Sequence, residues 1–468
     1  MHKYIEVNQN PGAIYISPDM IEDRIEALYY KKQYIDVEEK LITFKGGYKY
    51  LKEICKKITD GTHKTPDYRE EGITFVTSKN ISEDGIDFEN TKYISKQEHD
   101  EISKRCKVES GDILFTKVGR IGYAKVVPKD VNDFSIFVSV ALLKLENKID
   151  KSFLETFLNS KYGRIQSEKL AKGSNQPDFH LENIAEIKIP IPSPEIQKYI
   201  GDKVRKSEEL REEAKRLKKE AEEILFKELE LSYFNEKIKD APKKFNWFSN
   251  EMIDVRVDSQ YYINETNFIN NIMYKKGFKL KQIKDIAYIG KGFSYSSLDN
   301  KSIPYIRISD LNDLLIDFDF AELVDEKTYI DKKSSRLEKY DLVFAITGAT
   351  IGKVSMFYND KYNKATLSAD TAYVRLKDKK DVGYTLLYLK TVIGQLNILK
   401  GVTGATNRHL SLEHIGDILI PNLENKLKDD INTKVLKSID NIYLSKQLIN
   451  QAKQDVENLL EGNFSIDE

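Results

Sequence analysis

Side chains that reach phosphates and base edges crowd into a few short, glycine-punctuated loops of this chain. The loop TDGTHKTPDYRE (59–70) carries Thr62, His63, Lys64 and Tyr68. Ser78, Lys79 and Asn80 follow in VTSKN, Lys117 and Arg120 in FTKVGR, and Ser174, Asn175 and Gln176 in KGSNQPDFH (172–180). A second set lies later in the chain. It comprises Lys291, Ser294 and Tyr295 in GKGFSYSSLDN (290–300), Arg307 and Ser309 in RISD, Thr347 and Lys353 around GATIGK, and Thr406, Asn407 and Arg408 in GVTGATNRH (401–409). Arg and Lys pair with guanine O6 and N7, Asn and Gln with adenine N6 and N7, and hydroxyls with phosphate oxygens. A single loop of this kind is more often a solvated turn. The case rests on matched loops that differ within a shared apolar frame.

That frame is a duplication. DMIEDRIEALYY (19–30) returns as EMIDVRVDSQYY (251–262), with five of twelve positions identical. GDILFTKVGRIG (111–122) returns as YDLVFAITGATIG (340–352), and LENIAEIKIPIP (181–192) as LEHIGDILIPNL (412–423). The period, about 230 residues, is that of a duplicated domain and far exceeds a solenoid repeat. Each copy opens with an arginine (Arg24, Arg256) and a Tyr-Tyr pair. Short β-like runs follow: ITFVTSKNI, DILFTKV and FSIFVSVALLKL in the first copy, IPYIRISDL, DLVFAIT and TAYVRL in the second. A helical stretch comes next, FLETFLNSKYGRIQSEKL or YTLLYLKTVIGQLNIL, then a polar loop, a short strand ending at Pro190 or Pro421, and a long helix.

The long helices span Glu195 to about Glu236, where Glu, Lys, Arg, Leu and Ala dominate, and about Asn425 to Leu460. Ser207, Ala214 and Ala221 recur at every seventh residue, with Leu210, Leu217 and Ile224 beside them. Ser438, Ser445 and Ala452 repeat the pattern, with Leu448 among them. Small residues at heptad spacing let two backbones approach closely, so the helices are expected to pair, antiparallel, rather than each packing on its own domain. A rod of ~40 residues is roughly 60 Å long and would hold two domains at a set distance.

Length, 468 residues, allows two to four domains. Net charge is −1, from 74 basic and 75 acidic residues, so any nucleic-acid surface must arise from segregation of charge. Cys55 and Cys106 have no counterparts in the second copy and read as reduced thiols. With no apolar run of bilayer length and no apolar leader in MHKYIEVNQNPG, the expected compartment is the cytoplasm.

Several catalytic lookalikes fall away. GATIGKV (348–354) is one residue short of a phosphate loop and has Val354 where a metal-binding hydroxyl belongs. PDFHLENIAEIK (177–188) approximates a metal-nuclease pattern, but its partner RHLSLEHIGDIL loses the lysine. No Pro-Pro dipeptide supplies the amino-methyltransferase motif. His409 and His414 are matched by Asp178 and Asn183, and the six histidines lack cysteine partners at zinc spacing. No metal or cofactor is expected, and the residues argue against an enzyme.

ITDGTHKTP (58–66), GDILFTKVGRIG, GSNQPDF…IKIPIPSPEIQKYI (173–200) and the charged helix that follows resemble the DNA-specificity subunit of type I restriction–modification systems, over essentially the whole chain. Copy two departs from the pattern, with IPNLENKL in place of IPSPEIQK and no DGTHKTP loop. The resemblance implies an α/β (α+β) fold. Two homologous β-rich target-recognition domains, 1–193 and 237–423, would each precede a long helix, 194–236 and 424–468, the helices pairing as an antiparallel coiled coil. It further implies a non-catalytic reader of a bipartite, asymmetric site on double-stranded DNA. Such a subunit recruits two adenine-methyltransferase subunits and, through them, restriction subunits, with S-adenosylmethionine and ATP bound by those partners. The alternative reading is a protein–protein scaffold with two duplicated binding domains. The two separate by salt: phosphate-mediated binding weakens steeply as salt rises, and an apolar protein interface does not.

Overall fold

The computed structural model describes residues 4–7, 13–16, 21, 27–146, 149–171, 178–240, 265–295, 301–319, 321–359, 364–404 and 408–466. Most of the duplicated opening segment, including Arg24 and Arg256, lies outside them. The chain divides into two compact units, one formed by 1–209 with 444–468 and the other by 210–443.

Alternating apolar residues build each unit's central sheet. In the first unit Cys55–Asp60, Val140–Leu145, Ile113–Thr116 and Ala124–Val126 lie side by side, all antiparallel. The middle strands are buried on both faces, as their near-continuous apolar runs require. Ile113, Phe115, Ala141 and Leu143 join one core cluster, and Leu114, Val140 and Leu142 point into another. The second unit repeats the order with Ala287–Lys291, Thr371–Leu376, Leu342–Ala345 and Val354–Met356. Beside each sheet stands a three-stranded one with a parallel pair, Ile73–Val76 with Phe134–Ile136 and Lys301–Ile306 with Thr366–Leu367. The run FSIFVSVALLKL is therefore not one strand. It breaks over 137–139 so that its two halves serve different sheets. A cation on a buried aspartate braces both units alike: Lys144 Nζ donates to Asp112 Oδ2 at 2.7 Å, and Arg375 Nη2 to Asp341 Oδ2 at 2.7 Å.

Each expected single helical stretch is two helices. Lys151–Asn159 stops at Ser160, whose Oγ caps Lys161–Leu170, and Val382–Lys390 stops at Thr391, whose Oγ1 accepts from the Gly394 N–H at 3.1 Å and caps Val392–Lys400. Glycine is needed just after the bend. A Cβ on Gly163 would sit 2.4 Å from the Phe157 carbonyl oxygen, and one on Gly394 2.2 Å from that of Tyr388.

Pro194–Glu228 forms the first long helix, ending before the expected Glu236. Glu230 adopts a left-handed φ of 49°, and a separate helix, Leu231–Lys239, follows. Leu229, Leu231 and Phe234 are buried in the second unit's core, and their burial holds the turn against its steric cost. Asn425–Glu461 forms the second long helix.

The two helices run antiparallel. In the first unit Lys203 pairs with Asp455 at 2.5 Å, and Ser207, Ser445 and Ala452 are fully buried. In the second unit Ser438 Oγ donates to the Ala214 carbonyl at 2.8 Å, Lys437 pairs with Glu213 at 2.7 Å, and Leu210, Leu217 and Ala221 are buried. Beyond Ala221 the seam moves by one residue: Leu225 is buried and Ile224 only half-buried, as a 3.6-residue turn drifts from a seven-residue repeat. Leu448 is half-buried as well.

Candidate nucleic-acid interface

Backbone hydrogen bonds gather the sequence-separated loops of the first unit around the 137–139 crossover. Thr62 N–H donates to Ile136 O and Val138 N–H to Thr62 O. Ser78 N–H donates to Ser139 Oγ at 3.1 Å, Lys117 N–H to Ser139 O, and Phe179 N–H to Lys117 O. Loops 61–64, 77–80, 117–120 and 178–180 thus meet at one end of the sheets. Gly61 permits the convergence, because a Cβ there would lie 1.9 Å from the Ile136 carbonyl oxygen.

The second unit rebuilds the arrangement around 368–370. Phe293 N–H donates to Leu367 O, Ser368 N–H to Ile306 O, Ile346 N–H to Asp370 O and Leu410 N–H to Ile346 O. Gly292 stands where Gly61 does, its absent Cβ 2.1 Å from the Ser368 carbonyl oxygen. Strand register makes Asp60 and Lys291 equivalent, each one place before that glycine. The bridges Val118↔Asp178 and Thr347↔His409 pair Val118 with Thr347, so Lys117 corresponds to Ile346 and not to Thr347.

Within this frame the candidate side chains divide by what they already touch. His63, Lys64, Tyr68, Lys79 and Arg120 are exposed. His63 Nε2 lies 3.1 Å from Asp60 Oδ1, Lys92 Nζ caps the Tyr68 ring at 3.8 Å, and the Arg120 guanidinium stacks 4.5 Å from the Tyr123 ring centroid. Burial pushes the Tyr123 phenol up, yet Arg120 and Arg164 together bring it below the ordinary range. Ser78 and Lys117 are buried, and Thr62 and Asn80 are half-buried. Thr62 Oγ1 accepts from Lys64 N–H, and Ser78 is buried. Asn80 Oδ1 accepts from Thr77 N–H at 3.0 Å while its Nδ2 donates to Asn90 O. Lys117, 5% exposed, faces Asp60 Oδ2 at 3.4 Å and Asp178 Oδ1 at 3.8 Å. Ser174, Asn175 and Gln176 lie outside the described residues.

In the second unit Lys291, Ser294, Ser309, Lys353 and Arg408 are exposed. Ser309 Oγ donates to Asp310 Oδ1 at 2.8 Å and Thr347 Oγ1 to Asp370 Oδ1 at 2.7 Å. Arg307 Nη1 donates to Glu322 Oε1 at 2.6 Å. Tyr295 OH donates to Asp325 Oδ2 at 3.1 Å. The Thr328 hydroxyl, with the Thr328 N–H, holds the Asp325 carboxyl down at about 2. Thr406 and Asn407 lie outside the described residues.

The sequence reading missed Arg105, Asp60 and the crossover residues Ser139 and Asp370. Arg105 lies in the last turn of the helix Lys96–Cys106, 45 residues along the chain from Asp60, and no local pattern marks it. The sheet-switching break was legible only as the polar Ser135 and Ser139 interrupting an apolar run. Among the described residues no group of three His, Cys, Asp or Glu could hold a metal ion, and no helix is long and apolar enough to cross a membrane. His414 Nδ1 instead lies 2.7 Å from Ser411 Oγ. Both cysteines are free, and burial pushes the Cys55 thiol up to about 12.

A family model described as the type I restriction modification DNA specificity domain matches residues 47–223 and again 275–454. The type I restriction enzyme EcoBI specificity subunit of Escherichia coli is 33% identical over 141 residues, 30% of this chain and 29% of that protein. The type I restriction enzyme MjaIX specificity subunit of Methanocaldococcus jannaschii is 23% identical over 272 residues, 55% of this chain and 57% of that protein. The alignments thus span between about a third and just over half of the length of these curated relatives. A crystal structure of the type I restriction–modification S subunit from M. genitalium is similar at 15% identity, over 91% of this chain and 98% of that one, with a TM-score of 0.44.

Proposed function

Because this chain belongs to the type I restriction–modification DNA specificity family, matched over both of its halves, we propose that it is the DNA-reading subunit of such a complex and carries no catalytic site of its own. The supporting observation is the duplicated loop cluster: one backbone frame, built twice, presents Lys64, Lys79 and Arg120 in one unit and Lys291, Lys353 and Arg408 in the other. Identical frames with different side chains suit two readers of unlike half-sites. Exposed cations serve the phosphate contacts, and the polar residues between them serve base edges. In this reading 1–193 and 237–423 are the recognition domains, and the paired helices set the number of unspecified base pairs between half-sites. The partners are double-stranded DNA, two adenine-methyltransferase subunits and restriction subunits, all in the cytoplasm. S-adenosylmethionine and ATP bind those partners. Net charge near zero is compatible, since partner subunits supply part of the phosphate contact.

The test is single-molecule methylation mapping of cells carrying this gene and its neighbouring methyltransferase, against a deletion of this gene alone. Loss of N6-methyladenine at a two-part motif with a fixed gap supports the reading. An unchanged methylome, with no methyltransferase co-purifying, favours a protein–protein scaffold. Asn175→Ala with Gln176→Ala is expected to alter one half-site and spare the other.

A further inference from the structure

The first unit contains a guanidinium fixed in place with one edge left open. Arg105 Nη1 donates to Thr59 Oγ1 at 3.1 Å and to Asp60 Oδ1 at 3.2 Å, and Nη2 donates to the Gly61 carbonyl at 2.5 Å. Those three bonds use both Nη1 hydrogens and one on Nη2. The Nε–H and the remaining Nη2–H form the opposite edge and have no partner among the described residues, while half of the side chain (51%) is exposed. Asp60, 3% exposed, is the anchor: His63 and Lys117 face it too, so it holds the guanidinium at the mouth of the loop cluster.

At the equivalent positions of the second unit, all of them among the described residues, none of this recurs. Asp112 and Asp341 occupy the same turn, each accepting from the N–H three residues before it, and counting back from them places Ser334 opposite Arg105. Lys291 replaces Asp60 and Ile346 replaces Lys117. Cation, anchor and second cation have all been exchanged together. A clamp needed for the common frame would recur in both units, as the Lys144–Asp112 and Arg375–Asp341 pairs do.

We propose that Arg105 reads a guanine in the half-site of the first unit, its free Nε–H/Nη2–H edge donating to O6 and N7. This rests on the DNA-reading function proposed above. Two parallel donors on a rigid plane match the two acceptors that guanine shows in the major groove. Holding the far edge of the guanidinium removes most of the rotamer freedom that a loose arginine would lose on binding.

The experiment is competition binding of the full complex to duplexes carrying the methylated site and every single-base change in it, for the wild type, Arg105→Ala and Arg105→Lys. Lysine keeps the charge and a donor for the Gly61 carbonyl but lacks the fork, and it serves if the alanine variant does not fold. The expected result is loss of discrimination at one G·C pair of one half-site, by about 5- to 150-fold, in both variants. Uniform weakening across all duplexes with a shallower salt dependence makes Arg105 a phosphate contact and overturns the proposal. An unchanged base profile also overturns it, leaving Arg105 as a loop clamp. If the wild-type complex shows no two-part site at all, the DNA-reading function fails first and the assignment of Arg105 falls with it.

Discussion

Ser207 and Ser438 occupy equivalent seam positions, and both are fully buried, yet their hydroxyls have opposite fates. Ser438 Oγ donates to the Ala214 carbonyl at 2.8 Å, whereas Ser207 Oγ has no hydrogen-bond partner among the described residues. Ser438→Ala removes a bond with a net value of about 1 kcal/mol. Ser207→Ala removes a buried hydroxyl whose uncompensated desolvation costs about 1–3 kcal/mol. Both substitutions gain the same helix propensity, a few tenths of a kcal/mol, so it cancels in the comparison. The difference is therefore about 2–4 kcal/mol, with Ser207→Ala stabilising relative to Ser438→Ala. Urea unfolding of the full chain reads it, provided the m-value is unchanged. Equal effects of the two substitutions, within about 0.5 kcal/mol, would refute the argument that hydrogen-bond satisfaction and not side-chain size decides these positions.

Adding seven residues to both helices, after Lys215 and after Lys437, preserves the heptad seam and lengthens each by ~10 Å, about three base-pair rises. Methylation mapping should then show unchanged half-sites with a gap some three base pairs longer, and an unchanged gap defeats the spacer role. Gly61→Ala places a Cβ 1.9 Å from a backbone oxygen and should cost about 3 kcal/mol, as should Gly292→Ala in the other unit, both read by thermal unfolding. Asp325 has a folded pKa of about 2 against an ordinary 3.8. Its contribution is therefore complete above about pH 4 and disappears as pH falls toward 2. Asp325→Ala should flatten that acid limb in a stability-versus-pH series, and an unaltered limb contradicts the stabilising role of the Thr328 hydrogen bonds to Asp325.

The elements with strong internal signals were readable in advance. A seven-residue recurrence of Ser and Ala marks the seam, and the echo of GDILFTKVGRIG in YDLVFAITGATIG marks equivalent strands. Signals that depend on packing were not. The long first helix stops at Glu228 because Leu229 and Leu231 find core on either side of a left-handed residue, whereas local propensity favours continuation. The helices after the sheets break at Ser160 and Thr391, where a hydroxyl cap competes with an otherwise helical composition. The site divides similarly. Exposed Lys64, Lys79, Arg120 and Lys291 were legible as loop cations, but Lys117 is drawn inward by Asp60, which only long-range strand pairing brings near. Arg105 belongs to a helix whose sequence shows ordinary surface charge.

The first unit draws its closing helix from residues 444–461, far along the chain, whereas the second is contiguous from 210 to 443. Ala452, Val456 and Leu460 belong to the same core as Phe115, Phe153 and Ile200. A ribosome adding about 5–20 residues per second takes on the order of 10–50 s to travel from the end of the first copy to that segment. Throughout that interval the earlier-made unit has an open apolar seam, whereas the second unit is made as one continuous stretch. A chain truncated before residue 444 therefore keeps every segment of the second unit and lacks the helix that closes the first.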